Sequence, residues 1–195
     1  MKIQRTKNIY ANRLIAALLA STPVLAMAHP GHEYGTSGFV AGFVHPFTGL
    51  DHLVMAIALG VLFAKFAQRW KVAGMLSFAL ALIFGFVLGM QGIFANIAEY
   101  GIVASLVVLA VALLARQGSV LAVASIALTF FHGAAHGVEL AHAGHAALVI
   151  TGMVLAMALI YAFGLGLGEV IRRYVPHGDK IVAACAAVVA AISLA

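Results

Sequence analysis

Residues 146–167 read AALVITGMVLAMALIYAFGLGL, with no charged side chain and with only Thr151 and Tyr161 offering side-chain polar groups. A helix needs about 20 apolar residues to cross a hydrocarbon core about 30 Å thick, and this run supplies them. Residues 39–64, 72–90, 97–115 and 120–136 pass the same test. Residues 181–194 form a sixth, shorter run, which needs residues from Tyr174 onward or a thin local bilayer to cross. Runs of this length are far too long for barrel strands, and lipid offers backbone amides no partner, so each element is a helix. The expected fold is therefore all-α: a polytopic membrane bundle of about six transmembrane helices.

Composition agrees. Of 195 residues, 64% are hydrophobic and 9% charged, too little polar surface to coat a soluble domain. The single cysteine, Cys185, lies in an apolar stretch with no second thiol, which excludes a disulfide framework or a thiolate cluster.

The net charge of +5 would suit a nucleic-acid partner if the basic groups formed a patch. They mark topology instead. Lys2, Arg5, Lys7 and Arg13 precede an apolar stretch at 14–25 and a small-x-small site at Ala26-Met27-Ala28, the pattern of a cleaved signal peptide over residues 1–28. The mature membrane domain, 29–195, then begins at His29 on the periplasmic side of a bacterial inner membrane. With six spans, Lys65, Arg69, Lys71, Arg116, Arg172, Arg173 and Lys180 all fall on the cytoplasmic side.

Glycines recur four apart at Gly38 and Gly42, Gly85 and Gly89, Gly133 and Gly137, and Gly164 and Gly168, each pair allowing close helix approach. The first three and last three helices start on opposite sides, which permits a 3+3 inverted repeat, and each half opens with a histidine-rich helix.

Ionisable groups at membrane depth are costly, so they point to function. The first helix carries His45-Pro46-Phe47-Thr48-Gly49-Leu50-Asp51-His52. Its two histidines, seven apart, share a face if the helix is continuous, while Pro46 and Gly49 equally allow a local break. The fourth helix carries His132, His136 and Glu139 at i, i+4 and i+7, one stripe with two imidazoles and a carboxylate. At about 1.5 Å per residue, His45 to His52 lie roughly 9 to 20 Å below the outer surface, and His132 about 18 Å above the inner one. The clusters overlap in depth. Imidazole nitrogen suits nickel, cobalt, copper, zinc or iron, and carboxylates compensate a dication. His29, His32, Glu33, His142 and His145 lie further out and are expected to form a capture funnel. Glu169 is expected to pair with Arg172 and Arg173 on the inner surface, Glu99 is a candidate for the access path, and Met55, four residues after Asp51, reads as core.

HPFTGLDHLVMAIALG at 45–60 and FHGAAHGVE at 131–139 resemble the signatures of the HupE/UreJ family, small bacterial permeases associated with nickel hydrogenases and ureases. The resemblance covers essentially the whole mature chain. It implies metal-handling roles for His45, Asp51, His52, His132, His136 and Glu139, and nickel, or else cobalt, as the ion. The related nickel/cobalt transporter group has four residues between its His and its Asp-His pair, whereas five separate His45 from Asp51 here.

An intramembrane metalloprotease needs a general base within HExxH, and only Gly133, Ala134 and Ala135 separate His132 from His136. No GxxxxGK[ST] loop occurs, so this chain is not itself an ATP-driven pump, and no ATPase subunit is evident as a partner. The stronger rival is a haem-binding membrane electron carrier with histidines from different helices as axial ligands, which leaves the carboxylates unexplained. The expected function is a non-enzymatic secondary permease with no prosthetic group. Its substrate is Ni2+, or else Co2+, taken from periplasm to cytoplasm for metalloenzyme maturation.

Overall fold

The structure is a computed structural model that describes residues 38–115 and 119–194, so the signal peptide, His29, His32, Glu33 and Arg116 lie outside the described residues. Every element among the described residues is helical. They are α1 (Phe39–Val44), a 3-10 turn (His45–Phe47), α2 (Leu50–Phe63), α3 (Gln68–Gly89), α4 (Ala98–Leu114), α5 (Ser119–Leu128), α6 (Phe130–Glu139), α7 (Ala146–Tyr174) and α8 (Gly178–Ile192).

The first expected span is broken rather than continuous. Pro46 stands within the 3-10 turn and Gly49 caps α2 in an extended conformation, and the two halves meet at 78°. Pro46 has no amide to continue the ladder, and Gly49 supplies the extended residue that restarts it. Asp51 therefore falls in the first turn of α2, where a carboxylate is favoured by the helix dipole. A milder interruption separates α5 from α6 at Thr129, whose hydroxyl donates to the Ile126 carbonyl at 2.6 Å.

Among the described residues, three helices are long and apolar enough to cross a membrane: α3, α5 with α6 as Ser119–Glu139, and α7; the bent α1–α2 pair makes a fourth if it counts as one span. At 17 residues α4 is shorter, as is α8 at 15, so the structure leaves the sixfold count and the inverted repeat unconfirmed. Side chains such as Leu80, Phe84, Val120 and Phe163 are exposed on the outer surface, as befits a lipid-facing bundle.

Packing follows the glycine pairs. On α3, a Cβ at Gly85 or Gly89 would collide with the carbonyls of Phe130 or Ala134; on α6, one at Gly133 or Gly137 would collide with those of Leu82 or Phe86. The two pairs thus face each other and bring the backbones of α3 and α6 into contact. Gly164 likewise seats α7 against Ile57 of α2. The core between them is apolar and built from Met55, Leu59, Phe78, Leu82, Phe86, Leu106, Met153 and Tyr161.

Basic side chains gather at one end. Lys71 Nζ lies 2.7 Å from Glu169 Oε1, Lys65 Nζ 3.1 Å from Asp179 Oδ2, and Arg172 donates to the Ala64 carbonyl at 2.9 Å. Glu169 was expected to pair within its own helix, yet Lys71 is nearer than Arg172 at 3.8 Å. Arg172 is drawn to the free carbonyl at the C-terminus of α2. Cys185 is half-buried on α8.

Candidate metal centre

The break between α1 and α2 turns His45 back towards the first turn of α2, which carries Asp51 and His52. From α6, His132 and His136 project one turn apart on a common face. The four imidazoles meet there. Ring centroids are 4.2 Å apart for His52 and His136, 4.6 Å for His45 and His136, 5.2 Å for His52 and His132, and 6.0 Å for His45 and His52. Two trios of donor atoms result, His45 with His136 and Glu139, and Asp51 with His52 and His132, the atoms of each lying within 4.8 Å of one another.

Hydrogen bonding determines which nitrogens are free. His52 Nδ1 is 2.7 Å from Asp51 Oδ1, and because a carboxylate only accepts, the proton sits on Nδ1 and Nε2 keeps its lone pair. Glu139 Oε2 lies 3.3 Å from His45 Nε2 and 4.0 Å from His136 Nδ1, so it pairs with the former and only approaches the latter. His132 Nε2 is 2.9 Å from Ser105 Oγ on α4. Four buried nitrogens have no partner among the described residues: His52 Nε2, His132 Nδ1 and both nitrogens of His136. A buried polar atom without a partner costs about 1–3 kcal/mol, so these nitrogens are candidates to bond a ligand. Neutral nitrogen donors beside two carboxylates are the donor set a divalent late transition metal takes.

All six central residues named from sequence come together here. Of the outer group, the described members His142 and His145 are exposed on the loop between α6 and α7 and belong to neither trio, while the Ala143 carbonyl of that loop accepts from the Gly38 amide at 2.7 Å. Glu99 is exposed on the first turn of α4. Met55 is fully buried in the core. Sequence reading passed over Ser105 and undervalued Gly49. Ser105 is the lone hydroxyl in the apolar body of α4, a signal available from sequence. A Cβ at Gly49 would collide with His52 Nδ1 and lie 2.9 Å from Asp51 Oδ1, so this glycine makes room for the Asp51–His52 pair.

A helical membrane bundle that gathers buried imidazoles and more exposed carboxylates from two interrupted helices fits one class, that of membrane permeases handling a metal ion. Residues 16–195 match the family described as HupE / UreJ protein, and the chain belongs to that family. It is 31% identical over 161 residues, 80% of this chain and 81% of the relative, to Protein HupE of Rhizobium leguminosarum bv. viciae. No solved structure matches the chain. Membership supports the metal-transport role, associated with hydrogenase or urease, that the two sequence motifs implied.

Proposed function

We propose that this chain is a secondary permease, not an enzyme, that carries Ni2+, and Co2+ as second choice, from the periplasm to the cytoplasm for hydrogenase or urease maturation. The observation that carries the reading is the convergence of four unpartnered buried imidazole nitrogens between two carboxylates. The trios suggest two consecutive stations. Glu139 is the most exposed of the six at 47%, while His52 and His132 are buried, so an ion meets Glu139 first. There it exchanges water for imidazole and carboxylate. His136 touches both His45 and His52 and is placed to hand the ion inward, to Asp51, His52 and His132. Below the deeper trio the apolar core is closed, and at the basic end the Lys65–Asp179 and Lys71–Glu169 pairs tie the helices together. Release inward therefore requires one helix group to rock against another. Helix pairing fits such a movement: α3 packs on α6, α2 on α7 and α4 on α8, a pattern unchanged when the two halves are exchanged, as a 3+3 repeat would require.

The haem reading is disfavoured by ring contacts of 4.2 to 5.2 Å, which leave no slot for a macrocycle, and by the two carboxylates. Uptake of radioactive nickel by cells expressing the chain, with cobalt, zinc and copper as competitors, tests the proposal. A Soret band in the purified protein without nickel uptake would replace it with the haem reading.

A further inference from the structure

We propose that Ser105 is a positioning residue that holds His132 in its Nε2–H tautomer, so that Nδ1 is the atom His132 offers to a metal; this rests on the metal-permease reading above. Ser105 is fully buried on α4, an element that contributes nothing else to the six-residue centre. Its Oγ lies 2.6 Å from the Ile102 carbonyl, 2.9 Å from His132 Nε2 and 3.8 Å from Met55 Sδ.

A serine hydroxyl has one proton. The Ile102 carbonyl can only accept, and at 2.6 Å it is the shortest and strongest acceptor, so the proton goes there and the thioether receives none. Towards His132 the oxygen is left with lone pairs. A contact of 2.9 Å to Nε2 is then favourable only if Nε2 carries the hydrogen. A neutral imidazole has one N–H, so Nδ1 carries a lone pair, and Nδ1 is the atom that lies buried without a partner among the described residues.

Asp51 does the converse to His52, holding Nδ1–H and freeing Nε2. The deeper trio thus presents Nδ1 from one ring and Nε2 from the other, each fixed by a partner on the far side of its imidazole. Partners of this kind orient metal-binding histidines, and losing one typically costs about 10- to 100-fold in metal affinity. A serine serving only to satisfy its own helix would have no such effect, since the Ile102 bond is complete within α4.

The test uses the full chain purified in lipid nanodiscs and labelled with 15N-histidine, with the His132 signals assigned by their loss in His132→Gln. The metal-free parent should show a protonated Nε2 and an unprotonated Nδ1 at His132. Ser105→Ala should give mixed tautomers and weaken equilibrium Ni2+ binding by about 10- to 100-fold, with thermal unfolding little changed. Ser105→Thr, which keeps the hydroxyl, should recover both. A parent His132 protonated on Nδ1 overturns the proposal whatever the variants do, as does Ser105→Ala that binds Ni2+ like the parent. If the parent shows the Nε2–H tautomer but binds no Ni2+, the metal reading fails and the role of Ser105 fails with it, a result distinct from a wrong tautomer.

Discussion

His52 and His136 stand with ring centroids 4.2 Å apart, one on the first turn of α2 and the other near the end of α6. Neither helix alone could build the centre. Contact between them depends on the bend before α2 and on the glycine-mediated approach of α3 to α6, so perturbations of the bend, the approach or the donors have separate signatures.

Gly49→Ala isolates the Asp51–His52 contact at the start of α2. Gly49 has φ −95° and ψ 121°, a conformation any residue adopts, so the backbone tolerates alanine while the added methyl strikes the Asp51–His52 pair. Nickel affinity should fall by at least about tenfold, the loss expected when a histidine's orienting partner is displaced, while membrane insertion is unchanged. Calorimetric titration against Ni2+ reads this, and parent-like affinity would show that the Asp51–His52 contact is dispensable.

Gly133→Val tests the approach of α6 to α3. The new side chain would collide with the Leu82 carbonyl, where backbone must give way, and overpacking of this kind costs typically about 1–3 kcal/mol or more. A lowered thermal unfolding midpoint in detergent is expected. Gly166→Val provides the control, since no neighbour lies within 4 Å of a Cβ there, and equal midpoints for the two variants would refute close α3–α6 packing.

Much of this was legible beforehand, for identifiable reasons. Fixed rise per residue placed His45 to His52 and His132 to His136 at one depth, and their side chains do meet. Gly85, Gly89, Gly133 and Gly137 announced close packing, although only the fold shows that the two pairs face one another. Pro46 and Gly49 allowed the bend without requiring it, because the outcome depends on what α1 packs against. The interruption at Thr129 was not foreseen, since a hydroxyl bonded back to its own helix leaves no mark in a hydropathy pattern. Ser105 escaped notice for a related reason: its partner lies 27 residues away, and nothing local indicates which nitrogen of His132 it meets.

The outer histidines should assist without being essential. His142 and His145 are exposed and lie in neither donor trio. Replacing them together with His29 and His32 by alanine should raise the nickel concentration for half-maximal uptake and leave the saturated rate largely intact. Abolished uptake at normal protein levels would make them part of the central site.

Orientation can be read directly. Lys65, Lys71 and Arg172 cluster at the end opposite His45 and Glu139, so a reporter fused within residues 65–71 should be cytoplasmic and one within 141–144 periplasmic. Both reporters in one compartment would contradict the assignment of sides and with it the inward direction of transport.

The central claim is that the six-residue centre holds a dication as cargo, and its most direct test is the initial rate of nickel uptake per inserted protein in three carboxylate variants. Asp51→Asn and Glu139→Gln keep shape and hydrogen-bonding capacity but remove negative charge from a site where it meets a dication. Glu169→Gln removes the same charge from the basic end, where Glu169 pairs with Lys71 away from the centre. Severe loss of uptake in the first two with little change in the third is the predicted result. Parent-like rates in both Asp51→Asn and Glu139→Gln would contradict the account.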